Sequence, residues 1–251
     1  MSNKARARTK GPVIAIDGPA GAGKSTVAKA IAAMFGFRYV STGHFYRAVA
    51  FKALRLGVDM TSEESLTALA RSTRISVCQN ERGDLRTLLD GEDVTESLAS
   101  PEVDACVSEV AKVPGVRLAL LEQQRSLLRD GGVVMDGRDI GTVVAPDADL
   151  KIFLVATLEE RVRRRLAQAR ERGDEVCDGA VADGVARRDR TDSEREVAPL
   201  RPAPDAVVID TTGKAPEETI AEVARLVAWT TGDRSLSPVS SRVKGERACS
   251  T

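Results

Sequence analysis

The sequence predicts an α/β fold of three layers, in which helices cover both faces of a five-stranded parallel sheet. Short apolar runs alternate with helical patterns along most of the 251 residues. The runs are continuous rather than alternating in polarity, which is typical of strands buried on both faces of a parallel sheet. A glycine-rich turn joins the first run to the first helix. The length allows one domain with an insertion or two small domains.

The core elements follow from these patterns in chain order. Strands are expected at residues 13–16, 38–40, 133–135, 150–155 and 206–209. Helices are expected at residues 24–35, 44–56, 158–172 and 216–229. Thr157 and Glu160 have the spacing of a capping box, which would start the third of these helices.

Residues 62–115 interrupt the alternation and are predicted to form an inserted α+β subdomain between the core segments 12–61 and 116–231. Residues 74–78 and 85–89 have strand character, Asp90-Gly91 is a strong turn signal, and residues 101–112 have helical core spacing. A charge-dense stretch at about 169–198 is typical of a mobile lid or a solvated loop. Residues 1–11 and 232–251 are predicted to be disordered tails.

The composition excludes several classes of function. Lys and Arg total 37 and Asp and Glu total 37, so no net field attracts nucleic acid or an anionic membrane. The four cysteines lie far apart, which fits a reducing cytoplasm better than a zinc ribbon or a disulfide framework. A single histidine disfavours His-rich metal sites and a Ser-His-Asp hydrolase. Since no run is long enough for a signal peptide or a membrane span, we expect a cytoplasmic protein.

The glycine-rich turn is the first candidate site, because residues 18–25 read Gly-Pro-Ala-Gly-Ala-Gly-Lys-Ser. This is the spacing of a phosphate-binding P-loop, with the required strand before it and helix after it. Glycines let successive N–H groups point at phosphate oxygens, and the helix adds its positive end. Lys24 would supply a mobile cation and Ser25 a hydroxyl ligand for Mg²⁺. A glycine-rich turn with a chance lysine is the weaker interpretation.

The second candidate site is the end of the third strand, where residues 133–139 read Val-Val-Met-Asp-Gly-Arg-Asp. An acid that ends a strand beside a P-loop is the usual carboxylate near Mg²⁺, and Asp136 takes that position. Arg138 and Asp139 follow at the carboxyl edge of the sheet, where ligands bind in open α/β folds. The alternative is a simple strand-end turn, which Asp and Gly also favour.

A third site follows the second strand, at Thr42-Gly43-His44-Phe45-Tyr46-Arg47. Phe45 can face the core, which leaves Tyr46 and Arg47 free to meet a ligand, and arginine holds phosphate by two parallel hydrogen bonds. His44 has no acid fixed beside it in the sequence. We interpret it as a surface or cap residue rather than a catalytic base.

A fourth feature is the density of arginine around the predicted lid, where ten arginines fall between residues 161 and 195. Several alternate with acids and would form solvated helix faces. Phosphoryl transfer, however, needs cations that close over the moving group and exclude water. We therefore expect a subset of these arginines to act in catalysis.

With these sites in view, the chain resembles the bacterial cytidylate kinase family, the CMP/dCMP kinases, over about residues 12–230. The resemblance lies in residues 17–26, in Thr42-Gly43 with Tyr46-Arg47, and in residues 136–144. The P-loop is shared by many NTPases, whereas the Asp-Gly-Arg-Asp-Ile-Gly run beside an insertion is far more specific. The resemblance implies a P-loop kinase fold with a monophosphate-binding insertion and a helical lid.

The resemblance also implies Mg²⁺-dependent transfer of the ATP γ-phosphoryl group to CMP or dCMP, in pyrimidine nucleotide metabolism and by a monomer. ATP would lie on Gly18, Pro19, Ala20, Gly21, Ala22, Gly23, Lys24, Ser25 and Thr26. The acceptor would lie among Thr42, Tyr46, Arg47, Ser108, Arg117, Arg138, Asp139, Arg188, Asp192 and Arg195. The catalytic cations implied are Lys24, Arg138, Arg161, Arg165 and Arg188, and the metal ligands are Ser25 and Asp136.

Within the acceptor set, the resemblance assigns Arg117, Ser108 and Asp139 to the cytosine edge. Arg47 and Arg138 would grip the acceptor phosphate. An ionised Asp139 can accept from the exocyclic amine of cytosine, whereas uracil presents a carbonyl there and would be repelled. Two positions depart from the family pattern: Ser41 replaces a common aspartate, and His44 replaces a small residue.

Two rival functions are weighed against this one. A P-loop kinase for another acceptor, such as UMP, AMP or a small alcohol, would carry the same phosphate loop. A GTPase would need an Asn-Lys-x-Asp guanine reader, and neither Asn3 nor Asn80 has that context. A scaffold without catalysis would not need the P-loop lysine, the acid and the acceptor arginines together.

Overall fold

The computed structural model describes residues 11–80, 84–171, 173 and 177–232. In chain order its elements are β1 (Val13–Asp17), α1 (Lys24–Phe35), β2 (Arg38–Ser41), α2 (Gly43–Leu56), α3 (Glu63–Arg71), β3 (Ile75–Gln79), β4 (Leu85–Leu89), β5 (Glu92–Asp93), α4 (Pro101–Lys112), α5 (Pro114–Ser126), β6 (Val133–Asp136), β7 (Leu150–Val155), α6 (Leu158–Glu171), α7 (Asp178–Glu194), β8 (Val207–Asp210) and α8 (Pro216–Thr231). A short π-helical turn spans Ile140–Val144.

The main sheet has five parallel strands in the order β2-β6-β1-β7-β8, which confirms the predicted fold class. Every residue of β1 is buried, because helices cover both faces of the sheet. Asp136 of β6 is in register with Ile16 of β1 and with Ser41 of β2. The carboxyl ends of these three strands therefore lie side by side, at the edge where open α/β folds bind ligands.

The predicted core elements are confirmed closely. Each of the five strands begins and ends within one residue of its expected bounds, and each of the four helices within two. The predicted capping box of α6 forms only in part. Glu160 donates its backbone N–H to Thr157 Oγ1 at 3.3 Å, but the Glu160 carboxylate accepts from Arg163 and Arg164. The Glu160 carboxylate therefore binds these two guanidinium groups instead of the backbone N–H of Thr157, which it would accept in a complete capping box.

The insertion contains an antiparallel sheet of three strands in the order β3-β4-β5. Asp90 and Gly91 both have positive φ, 51° and 94°, and they form the two-residue turn between β4 and β5. Helices α3 and α5 were not expected, and α5 runs across the expected boundary after residue 115. A Cβ on Gly115 would lie 2.2 Å from Thr67 Oγ1, so this glycine allows α5 to approach α3 closely.

The charge-dense stretch is helical rather than a loop over most of its length. Helix α7 packs against α6 and α4, and it buries Val185 and Asp192. The predicted tails lie outside the described residues except for Gly11 and Gly232, the latter ending α8 with φ 71°. None of the described helices has the length and apolar character that a membrane span requires.

Candidate functional site

The phosphate loop is shaped by three glycines in the left-handed region of φ. Gly18, Gly21 and Gly23 have φ values of 145°, 80° and 87°. A Cβ on Gly18 would lie only 2.1 Å from the carbonyl oxygen of Leu154, so the strand end allows no side chain there. Gly23 immediately precedes α1, so the positive end of that helix faces the same space. Residues 20–27 of this loop and helix line a cavity of about 410 Å³.

Lys24 lies buried at the base of this cavity. Its Nζ donates to the carbonyl oxygen of Pro19 at 2.7 Å, so the side chain folds back over the loop. Burial, together with the nearby guanidinium of Arg138, holds the pKa of the Lys24 ammonium well below its usual range. Polyphosphate in the cavity would supply the negative charge that this ammonium lacks.

Asp136 and Ser25 meet at the mouth of the same cavity. Ser25 Oγ donates to Asp136 Oδ2 at 2.5 Å, and Tyr39 donates to that oxygen at 3.4 Å. A hydroxyl and a carboxylate are hard oxygen ligands, which fit Mg²⁺. In the described part of the chain, no group of three or more His, Cys, Asp and Glu side chains could hold a metal ion. An ion at this position would therefore need phosphate and water oxygens to complete its shell.

Arg164, which was not among the predicted site residues, also lines this cavity. Arg164 of α6 donates to the carbonyl oxygens of Gly21 (3.3 Å) and Thr211 (2.6 Å), and its Nε donates to the Glu160 carboxylate at 2.7 Å. Hydrogen bonds from Arg163 and Arg164 lower the pKa of Glu160 to about 2. Arg164 thus ties the phosphate loop to the turn after β8. A contact between segments so far apart in sequence leaves no local signal.

A second, smaller cavity of about 50 Å³ adjoins the first. Nine of the ten predicted acceptor residues line it: Thr42, Tyr46, Ser108, Arg117, Arg138, Asp139, Arg188, Asp192 and Arg195. The tenth, Arg47, lines the phosphate-loop cavity instead. Gly43, Gly137 and Arg138 line both cavities, so the two spaces meet beside Arg138.

A chain of buried charges forms the wall of this acceptor cavity. Arg117 donates to Asp139 at 2.5 Å, and Arg195 lies 4.0 Å from the other oxygen of Asp139. Asp192 accepts from Arg195 at 3.3 Å and from Arg138 at 2.8 Å. Burial raises the pKa of Asp192, but the two guanidinium groups outweigh burial and lower it. Asp192 therefore stays ionised between these arginines, as a buried charge requires.

Two donors in this wall make no hydrogen bond within the part of the chain that the structure describes. Among the described residues, Arg117 Nε and Arg195 Nη2 are buried without a hydrogen-bond partner. Unpaired buried donors are costly, and they are expected where a ligand completes the network. The Arg117 guanidinium also lies 5.1 Å from the centre of the Tyr46 ring, in cation–π range.

Three further arginines surround the junction of the cavities. Arg47 donates to the carbonyl oxygen of Leu98 at 2.8 Å and pairs with Asp104, partners that the sequence did not reveal. Arg165 and Arg188 line a wide cleft of about 1100 Å³ between α4 and α7, which opens beside the acceptor cavity. Burial, with Arg138 nearby, lowers the pKa of Arg188 to about 10.

Arg161 lies outside this group. It lines neither cavity; its guanidinium pairs with Asp189 of α7 at 2.6 Å and donates to the carbonyl oxygen of Ala20 at 3.3 Å. A Cβ on Gly21 would lie 3.0 Å from the Cβ of Arg161. In this geometry Arg161 joins the phosphate loop to α7 rather than facing either space.

The interpretation of His44 as a surface or cap residue is wrong, because the insertion partly covers its side chain. The ring is half-buried against the insertion, and Nδ1 lies 2.8 Å from Thr87 Oγ1 of β4. Burial lowers its pKa to about 4. The error arose because the partner strand lies more than forty residues away, so the sequence around His44 gave no sign of it.

Comparison with known proteins matches most of the chain. The family model described as cytidylate kinase matches residues 14–228. A cytidylate kinase of Symbiobacterium thermophilum is 51% identical over 217 residues, which cover 86% of this chain and 96% of that protein. A cytidylate kinase of Desulfitobacterium hafniense is 52% identical, with 85% of this chain and 91% of that protein covered. A cytidylate kinase of Geobacillus kaustophilus is 50% identical, with 85% and 95% covered.

Proposed function

The chain belongs to the cytidylate kinase family, and from that membership we propose that it transfers the γ-phosphoryl group of ATP to CMP or dCMP. The products are ADP and CDP or dCDP. One observation carries the proposal: the acceptor cavity combines a buried carboxylate, Asp139, with donors of Arg117 and Arg195 that lack a hydrogen-bond partner among the described residues. This cavity adjoins the phosphate-loop cavity beside Arg138.

The donor half of the reaction depends on residues 18–26. The N–H groups of the loop and the positive end of α1 would bind the ATP phosphates, and Lys24 would leave Pro19 to reach the outer phosphates. Ser25 and Asp136 would hold Mg²⁺. When bound there, this ion neutralises charge on the two outer phosphates.

The acceptor half depends on the match between the charged wall and the cytosine edge. Cytosine offers an amine donor beside a ring nitrogen and a carbonyl oxygen, which are acceptors. The carboxylate of Asp139 would accept from the amine, while Arg117 and the hydroxyl of Ser108 would donate to the acceptors. Uracil reverses the donor and acceptor at two of these positions, so its binding would leave buried groups unpaired.

The transfer itself needs no general base, because the attacking atom is an oxygen of the CMP phosphate that is already ionised. That oxygen forms a bond to the γ-phosphorus, and the bond from the γ-phosphorus to the bridging oxygen breaks, which leaves ADP. Arg138 lies where the cavities meet and would contact the transferring group; Arg165 and Arg188 would approach it from the cleft. Catalysis would thus come from positioning and charge.

We further propose that the enzyme acts on free nucleotides in the cytoplasm as a monomer. The cysteines within the described segments, Cys78, Cys106 and Cys177, are free thiols, as expected in a reducing compartment. Equal numbers of acidic and basic residues also give no general attraction to nucleic acid.

A coupled assay of ADP release tests the function, with CMP, dCMP, UMP, AMP and GMP as acceptors at equal concentration. We expect kcat/KM to be highest for CMP or dCMP, with UMP about 10²-fold lower or more because of its mismatch with Asp139 and Arg117. Preferred turnover of AMP or UMP would contradict the assignment of the acceptor.

A further inference from the structure

Asp17 connects the two halves of the site through its carboxylate. It is the last residue of β1, directly before the phosphate loop, and only 5% of it is exposed. Its Oδ1 accepts the backbone N–H of Ile140 at 2.8 Å, and its Oδ2 accepts that of Gly141 at 2.7 Å. These two N–H groups begin the π-helical turn that directly follows Arg138 and Asp139.

We propose that Asp17 is a positioning residue for phosphoryl transfer, which fixes the loop bearing Arg138 and Asp139 against the origin of the phosphate loop. The proposal rests on the function proposed above. Asp17 touches neither cavity, so it would act through the backbone of Ile140 and Gly141.

The geometry requires a carboxylate rather than an amide. The first N–H groups of a helical turn have no partner within the turn, and here two of them point at two different oxygens of one side chain. An asparagine at position 17 could accept only one of these hydrogen bonds. Its NH₂ group would face the other N–H, donor against donor, and the turn would have to move.

The fold retains this carboxylate although burial disfavours its charge. Burial raises the pKa of Asp17 to about 6, against the two backbone hydrogen bonds, which lower it. The charge of Asp139 adds to the rise and that of Lys24 opposes it. An uncharged side chain would suffice if position 17 only filled space. Accepting both N–H groups, which point at different oxygens, requires a carboxylate.

The far end of the same loop is held separately, by Lys151. Its Nζ donates to the carbonyl oxygen of Pro146 at 2.6 Å and pairs with Asp205 at 2.8 Å. Lys151 is buried like Asp17, and its ammonium holds the loop at Pro146, away from Arg138, while its aliphatic stem lies beside Gly141. Methionine keeps most of this stem, so Lys151→Met removes the ammonium contacts with Pro146 and Asp205 and serves as a matched control for Asp17.

The test compares Asp17→Asn, Asp17→Glu and Lys151→Met with the wild type. For Asp17→Asn we expect kcat/KM for CMP to fall about tenfold or more, and the preference for CMP over UMP to fall with it. The dissociation constant of an ATP analogue should stay within about twofold. Lys151→Met should lower the Tm but keep the CMP preference. A CMP preference unchanged in Asp17→Asn, or lost equally in Lys151→Met, would overturn the proposal.

A second variant and a measurement made without substrate complete the test. If Asp17→Asn does not fold, Asp17→Glu keeps both acceptors but is longer by one methylene, and it should show the same loss of CMP preference; a wild-type preference would overturn the proposal. Amide hydrogen exchange does not depend on the substrate. The N–H groups of Ile140 and Gly141 should exchange faster in Asp17→Asn, while those of residues 21–26 should not. Unchanged exchange at Ile140 and Gly141 would show that Asp17 does not hold this turn. That result would overturn the proposal even if CMP proved not to be the acceptor.

Discussion

The phosphate-loop cavity and the acceptor cavity adjoin, yet they are built in different ways. The phosphate loop is made from main chain, in one contiguous segment whose shape depends on Gly18, Gly21 and Gly23. The acceptor cavity is made from side chains on α2, α4, α5, α7 and the loop after β6. Its wall is the chain of ion pairs that runs from Arg117 to Arg138.

This difference determines what each region can recognise. Backbone N–H groups can bind any phosphate tail, so in the proposed function the loop would select a polyphosphate but not a base. Side chains of fixed charge distinguish donors from acceptors on a base edge, so we propose that the acceptor cavity selects among nucleotides. Substitutions should therefore separate nucleotide affinity in one region from nucleotide choice in the other.

The largest effect is expected where the two regions meet. Arg138→Ala should lower kcat about 10³-fold, because it removes the cation shared by both cavities. ATP should still bind within a few-fold of wild type, since the phosphate loop is main chain. Steady-state rates and a titration with an ATP analogue measure both quantities. Arg129→Ala, a change at an exposed arginine paired with Glu122 at 3.6 Å, is the control and should leave both unchanged.

Asp139→Asn should change the choice of base rather than abolish catalysis. The amide can donate to the carbonyl oxygen of uracil, whereas the carboxylate cannot, so the ratio of kcat/KM for CMP to that for UMP should fall about 10²-fold. The same assay on both acceptors measures this ratio. An unchanged ratio would mean that base selection lies elsewhere than in the acceptor cavity.

Gly18→Ala tests the main-chain nature of the phosphate loop. Its Cβ would lie 2.1 Å from the carbonyl oxygen of Leu154, so we expect a loss of about 2–3 kcal/mol in the free energy of unfolding, with weaker ATP binding. Gly36→Ala is the matched control, because Gly36 also has positive φ but open space around it. It should cost only about 1 kcal/mol and leave ATP binding intact. Denaturant unfolding and ATP titration distinguish the two.

The smallest effect concerns His44, beside the acceptor loop. Its pKa is about 4 in the fold against 6.5 ordinarily, so the unfolded chain binds more protons between these values. The stability that His44 contributes is complete above pH 6.5 and is lost as the pH falls toward 4. Between pH 7 and 5 the wild type should lose about 1–2 kcal/mol more than His44→Asn in denaturant unfolding.

The same histidine gives a direct spectroscopic check, because it is the only one in the sequence. Its imidazole signals in an NMR titration should stay constant from pH 8 to 5. A midpoint near 6.5 would show that the ring is solvated and that the contact with Thr87 does not hold it. Asp17, whose raised pKa has the opposite effect on stability, is common to the wild type and His44→Asn and cancels in their comparison.

The two regions also differ in how far the sequence predicted them. The strand, glycine-rich turn and helix around the phosphate loop were predicted from the sequence, because the glycines, lysine and serine are contiguous and the flanking elements have clear patterns. The acceptor residues were assigned by family resemblance, but their pairings were not. Arg117 and Asp139 are 22 residues apart, and Arg138 and Asp192 are 54 apart, so no local pattern connects them.

The fold shows the same contrast. Strands of continuous apolar residues were located within one residue of their bounds, because burial on both faces leaves a strong signal. The charge pattern alone predicted a lid or a loop where α7 lies, since its buried residues are few, and only the family resemblance implied a helical lid. Gly115 was treated as a boundary, although it serves the contact between α3 and α5. A glycine required by a neighbour cannot be distinguished in sequence from one that ends a helix.

A crystal structure with Mg²⁺, a non-hydrolysable ATP analogue and CMP tests the central claim most directly. We expect the triphosphate to accept hydrogen bonds from the main-chain N–H groups of residues 21–26. The cytosine amine should donate to Asp139, and the two phosphate tails should meet beside Arg138. A cytosine ring bound away from Asp139, or phosphate tails that point apart, would contradict the claim.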